Sequence, residues 1–181
     1  MPLAAKSCPS GILAGMPEEF TTADEVRLGR QVYQALSRGD VDAVMSVFAP
    51  DAVGVFDMSA ADETFEGAEA IRRFIEDWFR SWEEYRYEEE EMLDLGHGIV
   101  LFFLRESGRL VGGSGRVEQR VAHLTTWANG KIERVRTYLD PDEARAAAER
   151  LAQEREQAQR VALADPSEPP IGRAESAAPE N

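Results

Sequence analysis

The chain has 181 residues, 43% hydrophobic and 30% charged, which suits one globular domain with a substantial core and leaves too little for two. Its 34 acidic and 20 basic residues give a formal net charge of −14, a field that repels phosphate backbones and anionic lipid, so neither nucleic acid nor membrane is expected as a partner. A single cysteine, Cys8, rules out an intrachain disulfide or a CxxC site, and two histidines, His97 and His123, argue against a His-rich metal centre; no metal and no cofactor is expected.

In chain order, residues 1–21 mix Pro and Gly without periodicity and read as a flexible arm. They lack the continuous apolar core of a signal peptide, and no later apolar run reaches the roughly 18 residues of a membrane span, so a cytoplasmic protein is expected. Thr22 to Glu25 has the pattern of a capping box. It opens a helix with Val26, Gly29, Tyr33 and Leu36 on one stripe. Gly39 stops that helix, and Asp40 caps a short second one through Val41, Val44, Met45 and Phe48. Ala52–Phe56 reads as a short strand, followed by a loop with a small strand near Thr64–Glu66. From Gly67, the apolar residues Ile71, Phe74, Ile75, Trp78, Phe79 and Trp82 recur at helical spacing, so a wide face must pack on a sheet.

Four strands are predicted next: Tyr85–Leu95, Ile99–Glu106, Gly115–Trp127 and Lys131–Leu139. Turns are expected at Gly96-His97-Gly98, Ser107-Gly108 and Asn129-Gly130. Connections this short demand an antiparallel meander. Asp140-Pro141 restarts a helix that runs to about Arg160. Residues 22–160 are thus the domain, and 161–181, rich in Pro, Glu, Ala and Ser, form a tail that is expected to stay unfolded.

The segments Arg38–Val53, Phe65–Trp78 and Val117–Asp140, closed by DEARAAAE, resemble in this order the SnoaL-like branch of the nuclear-transport-factor-2-like superfamily, which includes polyketide-cyclase-like and ketosteroid-isomerase-like proteins. The likeness covers residues 23–150. It implies an α+β, cystatin-like cone: a strongly curved antiparallel sheet wrapped around the long amphipathic helix, with two further N-terminal helices and a C-terminal helix. It also implies an apolar pocket for a small apolar molecule and a homodimer formed through the convex face of the sheet. The fold hosts enzymes, binders and oligomerisation modules alike. An isomerase or cyclase acting on an apolar carbonyl compound by general-base catalysis is one expectation; a non-catalytic ligand-binding or dimerisation module is the other.

The resemblance places Asp57 near the position of the isomerases' general base, where an apolar cavity raises a carboxyl's proton affinity. An Asx-turn before Ser59 accounts for Asp57 equally well. His123 falls near the isomerases' second, protonated acidic group and can donate to an oxyanion, or it is a strand histidine bonded to a neighbour. Tyr33 lies one position from the isomerase tyrosine, where Val32 stands, and also reads as core with its hydroxyl at the rim. Asp57 and His123 are the candidate catalytic residues, and Tyr33, Phe56, Phe74, Trp78, Trp127 and Thr137 the expected pocket lining. Thr137, and a strand Leu101–Glu106 without Arg-x-Asp, depart from the limonene-epoxide-hydrolase pattern and argue against that chemistry. Glu88–Glu91 alternates across a strand and reads as a solvated edge that deters sheet-to-sheet pairing, not as a metal site.

Overall fold

The computed structural model describes residues 22–57 and 62–164. The arm expected over residues 1–21 lies outside these, as does all of the expected tail beyond residue 164. The side chains of Thr22, the expected N-cap, and of Asp57 are likewise not among the described ones.

Helix α1 (Thr22–Ser37) buries Gly29, Tyr33 and Leu36 of the predicted stripe together with Val32 and Ala35 beside it, while Val26 stays half-buried. Gly39, at φ 66°, lets the chain turn back, with its amide donating to the Leu36 carbonyl and that of Asp40 to Ala35. The Asp40 carboxylate then accepts from the Ala43 amide and caps α2 (Val41–Met45). Phe48, expected in this helix, instead starts β1 (Phe48–Asp57), because it pairs with Ile132 far along the chain. β1 folds back on β2 (Asp62–Glu66), and Gly67 leads into α3 (Ala68–Arg80). Trp82, expected as the end of the α3 stripe, falls outside the helix: Ser81 closes it by donating its amide to the Asp77 and Trp78 carbonyls, and Trp82 opens β3 (Trp82–Gly96).

β4 (Ile99–Leu110), β5 (Arg116–Ala128) and β6 (Lys131–Tyr138) complete one six-stranded sheet of order β2-β1-β6-β5-β4-β3. The turn expected at Ser107-Gly108 comes four residues later. Gly108 lies within β4 opposite Val117, and a Cβ there would approach Trp82 Cε3 to 2.9 Å, so this glycine serves close packing rather than turning. Asn129 and Gly130 both have positive φ and form the tight β5–β6 turn. The meander is antiparallel as expected, but the β1–β6 seam is parallel. The long excursion through α3 and four strands supplies the crossover that a parallel pair requires.

The sheet curls, since β1 and β2 at one end of the strand order and β3 at the other all contact α3. Its inner face carries Val100, Phe102 and Leu104 of β4, Val121 and Trp127 of β5 and Ile132 and Val135 of β6 in one core with α1, α2 and α3. The alternate residues Ile99, Leu101, Phe103, Ala122, Leu124 and Tyr138 face outward. That outer face, where a second copy was expected, is covered by the chain's own α4 (Pro141–Ala164). Ala144 and Ala148 are fully buried against it, Leu151 packs beside them, and the Arg145 guanidinium lies over the Phe103 ring at 4.2 Å. The small Ala stripe permits this close approach. α4 also runs four residues past its expected end at Arg160.

β3 is an edge strand, and three glutamates of the run are matched by cations: Glu89 by Arg30 of α1, Glu90 by Arg105 and Arg120, Glu91 by Arg145 of α4. The two arginines hold the Glu90 carboxyl below the usual carboxylate range. Among the described residues no cluster of His, Cys, Asp and Glu is arranged to hold a metal, and no helix is long and apolar enough to cross a membrane.

Candidate active site

Between α1, α3 and the inner face of the sheet lies a cavity of about 740 Å³, part of it open to solvent. Phe56 of β1 and Phe74 of α3 stack at a centroid distance of 4.3 Å on one wall, and Trp78 continues that wall along α3. Val135 and Ile132 of β6 and Val121 of β5 form much of the other. Most of the lining is apolar, so each polar group in it is costly unless it is bonded.

The β5–β6 ladder places the first polar pair. His123 and Thr137 are direct cross-strand partners on the inner face, both buried. Tyr33 reaches them from α1, and its hydroxyl shares a 3.0 Å hydrogen bond with His123 Nδ1. Burial holds the His123 imidazole down to about 4, so the ring is neutral at physiological pH. With the Tyr33 hydroxyl donating, Nε2 carries the ring proton and is left to donate to a ligand. Burial likewise pushes the Tyr33 phenol well above its ordinary value, which keeps it a hydroxyl. The Thr137 hydroxyl is buried and has no hydrogen-bond partner among the described residues, an arrangement a ligand acceptor or donor would relieve. By contrast, Thr125 is fully used: its Oγ1 donates to the Val100 carbonyl and accepts from the Trp127 indole.

A second polar row crosses the sheet at Tyr87, Glu106 and Gln119, adjacent on β3, β4 and β5. Glu106 is only 5% exposed, and Gln119 Nε2 donates to its Oε2 at 2.9 Å. Desolvation raises the Glu106 carboxyl above its ordinary value. Four residues of β4 separate Glu106 from Phe102, the cross-strand partner of His123, so the two polar spots are roughly 13 Å apart along the strand.

Of the residues singled out from the sequence, Tyr33, Phe56, Phe74, Trp78, His123 and Thr137 border the cavity. Trp127 does not. A register shift between Thr126 and Trp127 sets its ring in the closed core beside its partner Ile132, where its indole is bonded to Thr125. Asp57 ends β1 paired with Asp62, and its side chain is not among the described ones. Glu106 was missed, although the alternation Val100, Phe102, Leu104, Glu106 sets it on the apolar face of β4; a charge that continues an apolar face was the available signal. The Tyr33–His123 bond was also missed, because it joins residues 90 positions apart.

The sequence profile of the SnoaL-like domain matches residues 30–135, more than half of the chain. The chain belongs to the SnoaL-like domain family. Several solved structures share this SnoaL-like architecture. A candidate SnoaL-like polyketide cyclase from Jannaschia sp. CCS1 is 18% identical, with a TM-score of 0.59 over 70% of this chain and 92% of that one. A cystatin-fold protein from Novosphingobium aromaticivorans is 22% identical, with a TM-score of 0.55 over 63% and 97%. An NTF2-like protein from Burkholderia thailandensis is 24% identical, with a TM-score of 0.58 over 64% and 90%. At these identities the likeness concerns the fold alone, a cystatin-like cone. No curated protein matches the sequence.

Proposed function

We propose that this SnoaL-like protein binds a small apolar carbonyl compound inside the cone and moves a proton on it, as an isomerase or cyclase does. The observation that carries this reading is the neutral His123 beside the unbonded Thr137 hydroxyl in an otherwise apolar wall. Two such groups side by side suit a carbonyl oxygen, and they strengthen their hold as that oxygen gains charge in an enolate. Asp57, which ends β1 and falls near the isomerases' base position by resemblance, is the proposed base. The likeness to a candidate polyketide cyclase agrees with such a substrate class and does not reach the reaction.

The test is solvent deuterium incorporation next to the carbonyl of a panel of cyclic enones, followed by NMR. Exchange by the native protein that falls about a hundredfold in Asp57→Asn and in His123→Ala supports the proposal. Binding without exchange moves the protein to the second reading, a non-catalytic ligand-binding module. That reading is favoured by one observation: the Tyr33 hydroxyl is committed to His123 rather than free in the cavity. A homodimer stays part of the proposal in altered form. With α4 over the outer face, a second copy meets α4 and the Glu90–Arg105–Arg120 charge cluster, not bare apolar sheet.

A further inference from the structure

Glu106 is electrostatically incomplete. It is almost wholly buried, yet among the described residues no Arg or Lys pairs with it, in contrast to Glu89, Glu90 and Glu91 on the neighbouring strand. Among the described residues its one well-aligned hydrogen-bond donor is the neutral Gln119 amide. The Tyr85 hydroxyl beside it lies close enough to ease the burial of the carboxyl, but it is neutral and makes no well-aligned hydrogen bond among the described residues. Taking a carboxylate out of water costs several kcal/mol unless a cation or several donors replace the lost water, and a single amide does not.

The surroundings sharpen this deficit. Tyr85 packs edge-on against Tyr87 at 4.8 Å and against Trp78 at 5.9 Å, and Tyr87 is the direct cross-strand neighbour of Glu106. Trp78, Tyr87 and Glu106 all border the cavity. Aromatic rings carry negative faces, so a wall of Trp and Tyr offers an anion nothing and a cation a good deal. A metal ion does not fit, since the described residues hold no set of three ligands and indole and phenyl faces are poor donors to hard cations. A cation wrapped in carbon, with its charge spread over methyl or methylene groups, matches both the carboxylate and the rings.

We infer that Glu106, with Trp78 and Tyr87 beside it and Tyr85 packed behind them, is a recognition site for an organic ammonium group, so that the ligand of the cone carries a basic or quaternary nitrogen. The inference rests on the cone being a ligand pocket and not on any turnover. It also sets a ligand length, because the ammonium end and the His123–Thr137 end lie at opposite ends of a span of roughly 13 Å.

The test compares two probes of equal shape by NMR titration of the full chain: (4-hydroxyphenyl)trimethylammonium and its uncharged isostere 4-tert-butylphenol. The expected result is binding of both, about tenfold tighter for the cation. Glu106→Gln is expected to abolish that advantage, so that the two probes bind with equal affinity. Equal affinities, or tighter binding of the phenol, would overturn the ammonium site and leave the pocket standing. Binding of neither probe would overturn the pocket itself and the ammonium site with it. The comparison in the native chain decides the matter even if Glu106→Gln fails to fold.

Discussion

Removing the Thr137 hydroxyl separates a structural from a functional role for that side chain. Thr137 Oγ1 is buried and unbonded, so Thr137→Val deletes a desolvated polar atom at nearly constant volume. Chemical denaturation should show stability unchanged or raised by about 1 kcal/mol, while affinity for carbonyl ligands falls. His123 makes the opposite kind of prediction. Its folded-state proton affinity is depressed, from an ordinary 6.5 to about 4. Below pH 6.5 the unfolded chain takes up a proton that the folded one refuses. Stability is therefore expected to drop as pH falls through this window, by up to about 3 kcal/mol, and to level off once the folded state also protonates. Glu106, whose folded-state carboxyl is raised, works in the other direction, its burial penalty easing as pH falls. Urea denaturation of the native protein and of His123→Gln across this window isolates the histidine: the variant should show the shallower pH dependence.

At the scale of elements, α1 reaches the sheet through Gly29. A Cβ at this position would stand 2.4 Å from Cζ of Phe102, a ring with no exposed surface and little room to yield. Gly29→Ala gains helix propensity, about 1 kcal/mol, and loses more to overpacking, so a net destabilisation of roughly 1 kcal/mol or more is expected in denaturation midpoints. The same contrast between local preference and distant contact decides what the sequence disclosed. The α3 stripe and the Asn129-Gly130 turn were legible because their signals are local: a repeat of 3.6 residues and a pair able to take positive φ. Gly108 looked like a turn, Phe48 like helix and Trp82 like the end of α3, since in each case a partner far along the chain settles the conformation. Alternation along β5 was enough to set His123 with Gln119 and Thr125 on one face. It was not enough to find Tyr33 as its hydrogen-bond partner or Glu106 as a neighbour of Gln119, because strand register is not written in either strand alone.

For the molecule as a whole, α4 decides how the outer face meets water. Without it Ile99, Leu101, Phe103, Ala122 and Leu124 would form one contiguous apolar patch on the sheet. Deleting residues 141–181 should raise the association state, with light scattering after size exclusion showing larger species than the full chain forms at the same concentration. If the truncated chain behaved like the full one, α4 would not be what shields that face. The parallel seam between β1 and β6 carries a different consequence, one of timing. The hairpins from β3 to β6 join neighbours in sequence and can zip quickly, whereas the seam must close a loop of roughly eighty residues. Phe56 and Phe48 stand on one side of that seam, Val135 and Thr137 on the other. The cavity is therefore expected to come into being with the last and slowest step of folding, and a molecule lodged in it to act as a bolt across the seam, seen as slower unfolding in stopped-flow denaturation with ligand than without.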